Sequence, residues 1–374
     1  MADPDMIPQV QPWLEDDEAR AAAQAVADNW ITEGPRSQEF SDRLNKLIGV
    51  PYGVFAPNGT LALALALLAV GIKPGDEIII PDITFIGSAT AAILVGAVPV
   101  FVDVERQTFQ IDIAKAEAAV TKKTRAVMPV HLYGTACDMD GVASFAKRHG
   151  LKVVEDAAQG ICVSFKNRHV GGLGDAGCFS FFADKTLTTG EGGYVACNDE
   201  DVYTQLRLLR NQGRLDRGSF IHPAIGFNFR MTDMQAAVGL AQFNKLDRIM
   251  AAKSQILEWY RQGFDGLGQV RMLSNAPNAN HVPFRCVLIA QNAHALMEHL
   301  SKSGVQTRGF FYPMHKQPCF ADLARQHANR HAFDDANFPN AVFGYENGLC
   351  LPIFPTLTHD QVQHITSAIR QYYS

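Results

Sequence analysis

Nothing in the 374-residue sequence marks it for a membrane, a nucleic acid or a disulfide framework. Its longest apolar runs, LALALALLAVGI (61–72) and the Gly/Pro-interrupted segment 89–102, fall short of the roughly 18–20 residues that cross a bilayer. No basic region followed by an apolar stretch opens the chain at MADPDMIPQVQPW, so no secretory signal is read there and a cytoplasmic location is expected. Basic residues are not in excess: 33 Lys+Arg against 38 Asp+Glu give a formal net charge of −5, with no block of one sign. That balance argues against nucleic acid as a partner, because neutralising phosphates requires a basic face. The seven cysteines (137, 162, 178, 197, 286, 319, 350) are odd in number, scattered, and include no C-x-x-C pair. They fit a reduced compartment and give no zinc pattern. His294 and His299 are five apart, one residue too far to share a helical face, so no metal site is expected.

What is present is an ordinary globular composition, 47% hydrophobic and 19% charged, enough for two or three packing units of about 150 residues. A surface helix is predicted over 15–29. From PNGT (57–60) onward, short Val/Ile-rich strands alternate with helices. Strands are read at 77–81, 99–104, 125–131 and 152–156, and helices at 61–70, 86–95, 112–119 and 140–149. Strands that are apolar throughout rather than alternating are buried on both faces, which predicts an α/β domain around a mostly parallel sheet. Beyond 170 the pattern changes to strands CFSFF (178–182) and GGYVAC (192–197), then a long helical region near 232–263. A strand at 282–290, a helix at 293–304 and a final helix from Thr358 suggest a smaller α+β domain.

Several local patterns bear on chemistry. Gly172-x-Gly174-x-x-Gly177 has the form of a dinucleotide fingerprint but leads into a strand instead of a helix, and reads as a tight turn. Asn58, Gly59 and Thr60 stand directly before an apolar helix, where free N–H groups and the helix dipole favour an anion; simple capping is the alternative. Asp156 ends the strand KVVED, and ligands of open α/β sheets bind at such ends. A carboxylate there can ligate a metal, pair with a protonated ring nitrogen or cap the following AAQG segment. Lys185 follows CFSFF by three residues; most loop lysines are simply exposed. Yet an amine about 30 residues beyond an acid, with Ser180 and a Gly-containing anion cradle upstream, is the set that pyridoxal phosphate requires.

Taken in order, WITEG (30–34), PNGT, PDITFIGSA, PVHLYG, VVEDAAQ, CFSFFADKTLTTGEGG and GFNFRMTDMQAAVGLAQ resemble the sugar-nucleotide aminotransferases of the DegT/DnrJ/EryC1/StrS group. The resemblance implies an aspartate-aminotransferase-like fold (PLP fold type I). Residues 1–250 would form a large cofactor domain with a seven-stranded, mostly parallel sheet, and residues 251–374 a small C-terminal domain. It implies pyridoxal 5′-phosphate as cofactor, L-glutamate as amino donor and a nucleotide-linked keto-deoxy sugar as acceptor. A GDP-linked 4-keto sugar is the expected acceptor, a UDP- or dTDP-linked 3- or 4-keto sugar the alternative, and a non-catalytic sugar-nucleotide-binding or regulatory relative the more distant one. By position, Lys185 would bind the cofactor covalently and shuttle the proton. Asp156 would face the ring nitrogen, Gln159 the ring hydroxyl, and Phe85 the ring plane. Gly59, Thr60 and Ser180 would hold the phosphate, joined by Asn228 from a neighbouring subunit, which implies a homodimer with shared sites, or a tetramer built from two. Trp30, Thr32 and His315 are candidate substrate contacts. The sequence departs from the group at Pro57, where serine is commoner, and at Ala183-Asp184, where Gly-Asn is usual.

Overall fold

The computed structural model describes residues 6–214, 220–322 and 333–374. Seven strands form the main sheet: β1 (Tyr52–Ala56), β2 (Glu77–Pro81), β3 (Val98–Val102), β4 (Thr124–Val127), β5 (Lys152–Asp156), β8 (Ala176–Ser180) and β9 (Gly193–Cys197). A two-residue hairpin, β6 (Ser164–Phe165) and β7 (Arg168–His169), lies between β5 and β8. The order across the sheet is β1-β9-β8-β5-β4-β2-β3. Strands β8, β5, β4, β2 and β3 run parallel, and β9 is antiparallel to both β8 and β1. This is the seven-stranded, mostly parallel sheet implied by the resemblance.

Two helical layers cover it. One face carries α3 (Gly59–Ala69) and α4 (Gly87–Leu94), together with α7 (Glu200–Arg210). The helix α3 is apolar all round, and Ala62–Leu67 are all buried, as expected of a helix enclosed on every side. The other face carries α2 (Pro35–Ile48), α5 (Ile113–Ala119) and α6 (Met139–His149), with Phe40, Leu44, Val142 and Phe145 in its core. The helix α1 (Asp16–Ala27) lies outside this layer, against α8 (Asp233–Asn244). A second, antiparallel sheet, β10 (Val270–Met272), β11 (Cys286–Ala290), β13 (Gly348–Leu351) and β12 (Arg308–Gly309), has its own core with α9 (Leu246–Gly263), α10 (Ala293–Lys302) and α12 (His359–Tyr372). A shorter helix, α11 (Pro339–Asn347), precedes β13. Among the described residues no helix is long and apolar enough to cross a membrane.

Several elements differ from the sequence reading. The long helix expected near 232–263 is two, α8 and α9, broken at Lys245, whose side chain is buried on Glu18 at 2.8 Å. Leu246 packs in the large-sheet core while Ile256, Leu257 and Tyr260 pack in the small-sheet core, so α9 spans the expected domain boundary at 250. The strand expected over 282–290 begins only at Cys286. Val282 and Phe284 instead donate to the carbonyls of Gly134 and Tyr133, beside the large sheet. The helices α2 and α7 and the strand β1 are not among the elements predicted from the sequence. The GGLGDAG segment is a tight turn: the Glu155 carboxylate accepts the N–H groups of Gly171, Leu173 and Gly174, and Gly171 has φ +80°. A Cβ on Gly177 would lie 2.1 Å from the Gly171 oxygen, so the turn closes on itself only with glycine there.

Candidate active site

Parallel strands place their carboxyl ends together, and several candidate residues converge on that edge of the large sheet. Asp156 is the last residue of β5 and pairs in register with Cys178 of β8, so Ser180 lies two residues further along the same edge. Ser180 in turn pairs with Gly193 of β9, and Gly193 with Ala56 at the end of β1, directly before the N-terminus of α3. The approach is close. A Cβ on Gly59 would stand 2.8 Å from Ser180 Cβ, and one on Gly193 would stand 2.3 Å from the Asn58 carbonyl oxygen. Asn58 caps α3 by accepting Leu61 N–H at 2.9 Å. The N–H groups of Gly59 and Thr60 have no partner among the described residues, and such first-turn donors are an anion site.

Alternation along β5 sends Glu155 and Asp156 to opposite faces of the sheet. Asp156 is 6% exposed; its Oδ2 accepts Ser88 Oγ–H at 2.6 Å and its Oδ1 accepts Ala158 N–H at 3.1 Å. Ser88 lies on α4 and is itself in hydrogen-bond contact with Thr84, so the loop after β2 buttresses the carboxylate. That loop also carries Phe85, an aromatic ring 58% exposed and in edge contact with Phe311. Gly87 separates Phe85 from Thr60: a Cβ there would meet Thr60 Oγ1 at 3.0 Å and Phe85 Cδ1 at 3.2 Å. Gln159 is buried, and its Oε1 accepts Tyr133 N–H at 2.6 Å, which leaves its NH2 group as the end with donors to offer. Tyr133 holds a left-handed conformation at φ +57° to make that bond, with its ring stacked on Phe311.

Lys185 is half-buried, with Nζ 4.4 Å from the centroid of the Phe284 ring. Burial pushes its amine below the ordinary lysine value; Asp184 and Asp156 pull it back up, and Arg285 pushes it further down. A lysine that loses its proton more readily than usual, within the field of a strand-end carboxylate, can serve as a nucleophile. Sequence reasoning missed the groups that hold these side chains: Ser88 under Asp156, Tyr133 on Gln159, and Arg285 and Lys253 beside Lys185.

The remaining candidates lie elsewhere. Asn228 is exposed; its backbone bridges Asn211 and its Oδ1 accepts Arg230 Nε–H at 2.8 Å. It is not needed to cap α8, because Thr232 and Gln235 form a complete capping box. Trp30 is 47% exposed and, with Glu33, Tyr52, Tyr203, Arg207 and Arg210, lines a groove of about 730 Å³ beside the edge strand β1. Neither Lys185 nor Asp156 lines that groove. Thr32 is exposed and gives its carbonyl to Asp233 N–H. His315 is buried. Its Nδ1 bonds Asp82 at 2.6 Å, its Nε2 bonds Asp335 at 3.0 Å and its ring stacks on Phe338 at 4.3 Å, so both ring nitrogens are already occupied by carboxylates. It therefore anchors its segment within this chain and has no ring nitrogen left for a substrate.

Residues 12–370 match the DegT/DnrJ/EryC1/StrS aminotransferase family. The chain is 38% identical to a GDP-perosamine synthase of Caulobacter vibrioides over 99% of each chain. It is also 38% identical to a UDP-N-acetyl-3-dehydro-alpha-D-glucosamine 3-aminotransferase of Acidithiobacillus ferrooxidans, over 90% of this chain and 89% of that one. In structure it is similar to Spr1654 of Streptococcus pneumoniae in its PLP form, with a TM-score of 0.91, 25% identity and 98% of each chain covered.

Proposed function

Because the chain belongs to the DegT/DnrJ/EryC1/StrS aminotransferase family, and is thus a pyridoxal-phosphate-dependent sugar-nucleotide aminotransferase, we propose that its acceptor is GDP-4-keto-6-deoxymannose. Glutamate would give up its amino group and leave as 2-oxoglutarate, and the sugar carbonyl at C4 would become the amine of GDP-perosamine. The observation that carries the reading is the convergence at one sheet edge of a strand-end carboxylate, a helix N-terminus with two open N–H groups, and a lysine amine depressed by burial. The full-length likeness to the Caulobacter enzyme favours the GDP-linked acceptor. A UDP-linked 3-keto sugar is the second reading, favoured by the equal identity to the Acidithiobacillus enzyme.

The residues present fit the cofactor. The Gly59–Ser180 approach leaves no room for a side chain where a phosphate would need backbone donors, and the Asp156 carboxylate is fixed at the strand terminus by Ser88 and Ala158. Pyridoxal phosphate, when bound, supplies an electron sink through which an amino group can be exchanged for a carbonyl. Gly59, Thr60 and Ser180 would hold its phosphate, with the α3 dipole adding to the attraction. Asp156 would keep a ring nitrogen protonated, Gln159 would donate its NH2 to the ring oxygen, and the exposed face of Phe85 would stack on the ring. Lys185 Nζ would attach the group and, once released, move the proton between carbon atoms.

The chain would act as a homodimer, with Asn228 reaching its neighbour's phosphate site, or as a tetramer of two such dimers. Supporting this, the stretch beside Asn228 exposes Phe220 (90%), Ile221 (77%) and Ile225 (88%), an apolar surface that a second copy would cover.

The test is a half-reaction screen. Enzyme loaded with glutamate is mixed with keto sugars on different nucleotides, and loss of the amino form is followed by absorbance. GDP-4-keto-6-deoxymannose should discharge it fastest, and faster discharge by a UDP- or dTDP-linked sugar overturns the acceptor assignment. Lys185→Ala should lose the visible band of the linked cofactor together with turnover; a variant that keeps both overturns the role of Lys185.

A further inference from the structure

Asp184, directly before Lys185, spends one carboxylate oxygen on the guanidinium of Arg285, and both side chains are largely buried. Arg285 does not belong to the large sheet. It precedes β11 of the small sheet, and its other terminal nitrogen donates to Gln9 Oε1 at 2.8 Å. Both cations lie over the ring of Phe284, its centroid 4.4 Å from Lys185 Nζ and 4.4 Å from the Arg285 guanidinium carbon. From α9, Lys253 enters the same pocket, with Nζ 3.1 Å from the Pro283 carbonyl and 3.4 Å from Thr186 Oγ1. Its amine is pushed down to about 7, first by burial and then by Arg285. Asp184 is thus an acid set among three basic side chains, and its second oxygen, Oδ1, is buried without a hydrogen-bond partner.

We propose that the Asp184–Arg285 pair is a positioning and charge-balancing element for Lys185, joining the lysine loop of the large sheet to the start of β11 in the small sheet. A neutral staple would have done for packing alone. A carboxylate with an uncommitted buried oxygen is costly unless its charge serves its neighbours, and the neighbours here are cations. Removing the acid leaves Lys185 facing Arg285 and Lys253 with Asp156 as its remaining acid; removing Arg285 leaves it facing both acids with one cation fewer. The two deletions therefore act on Lys185 with opposite sign.

This inference rests on the reading that Lys185 carries the cofactor, and the experiment separates the two. Holoenzyme is titrated with pH, and the midpoint of the visible lysine-linked band is read for wild type, Asp184→Asn, Arg285→Gln and the double variant. The linked nitrogen is cationic when protonated, so Asp184→Asn should lower the midpoint by about one pH unit, roughly tenfold in proton affinity, and Arg285→Gln should raise it by a similar amount. The double variant should return close to wild type. A purely structural staple predicts loss of stability in both single variants with no shift, or shifts of one sign; either result overturns the proposal. Should Asp184→Asn not fold, Arg285→Gln decides alone, since only a rise supports it. A band that survives Lys185→Ala overturns the cofactor reading and this inference together. A band that vanishes there while the midpoints stay fixed overturns this inference only.

Discussion

Replacing Glu155 by glutamine should cost the protein much of its stability while leaving the shape of the side chain unchanged. Four donors converge on this carboxylate: His131 Nε2 at 2.9 Å and the N–H groups of Gly171, Leu173 and Gly174 at 2.7, 2.7 and 2.6 Å. The Nδ1 atom of His131 accepts Cys137 N–H, which places the proton of a neutral ring on Nε2, aimed at the acid. Glutamine keeps one acceptor oxygen and turns an NH2 toward the other two donors. Each buried donor left unpaired costs about 1–3 kcal/mol, so the substitution should cost about 2–6 kcal/mol of a total near 5–15. Denaturant unfolding at fixed protein concentration measures it, as a lower midpoint with an unchanged slope. The pH dependence has a definite sign. Burial works to raise the Glu155 pKa, but the His131 bond and the backbone N–H groups outweigh it and the net direction is down from 4.5. The charge therefore stabilises fully above pH 4.5, and its contribution fades as pH falls through the lower folded value. A gap to wild type below about 1 kcal/mol at neutral pH, or one that does not narrow in acid, would refute this account.

Asp156→Asn keeps one acceptor oxygen, for Ala158 N–H, and turns an NH2 toward Ser88 Oγ, which can accept it, but removes the charge, so kcat should fall by about two orders of magnitude with the substrate KM little changed; an effect confined to KM argues against its role at the ring nitrogen. Chains carrying Lys185→Ala and chains carrying Asn228→Ala, each poor alone, should regain activity when mixed, since a shared site restores one intact site per mixed dimer; no recovery removes the shared site. For His315, burial lowers the pKa, yet Asp82 and Asp335 outweigh it and the net direction is up from 6.5. The stability lost in His315→Gln should accordingly be largest below pH 6.5 and shrink as pH rises through the folded value, in thermal midpoints measured against wild type; a gap that widens with pH contradicts the ion pairing.

How much of this was legible in the sequence depended on which physical signal each element carries. Strands β2 and β5 appear where EIIIP and KVVED placed them, because buried parallel strands announce themselves as unbroken Val/Ile runs. The helix α2 is hard to read because PRSQEFSDRLNKLI is mostly polar, though its buried positions 37, 40, 44 and 48 keep helical spacing, and Gly34 before it, Pro35 at its first position and Gly49 after it are usable start and stop signals. The break at Lys245 has no glycine or proline to mark it; it follows from a buried ion pair to α1, a tertiary cause. At the site, the end of a strand pointed to Asp156 and a helix start pointed to Gly59 and Thr60. Their supports come from residues 68 and about 120 positions away, such as Ser88 on Asp156 and Ser180 on Gly59, and no local pattern carries that pairing. For His315 the residue type suggests a contact to a substrate, while the fold sets its two ring nitrogens against Asp82 and Asp335, a pairing that no local pattern carries.

Gln9 bears on how the chain is assembled in time. Its side chain donates to the Leu351 carbonyl, 342 residues away, its backbone carbonyl accepts Ile353 N–H, and its backbone N–H donates to Gln306. Ile7 is likewise laced to the backbone at 304 and 306. During synthesis residues 7–9 must wait for partners made about 300 residues later, so the small sheet cannot close around them until residues 351–353 have emerged. Once closed, residues 7–9 fasten together segments about 300 residues apart, and through the Gln9–Arg285 bond that fastener reaches the partner of Asp184, the lysine loop's acid. Losing residues 7–9 would therefore take from Arg285 its Gln9 contact and loosen the partner of the acid beside Lys185.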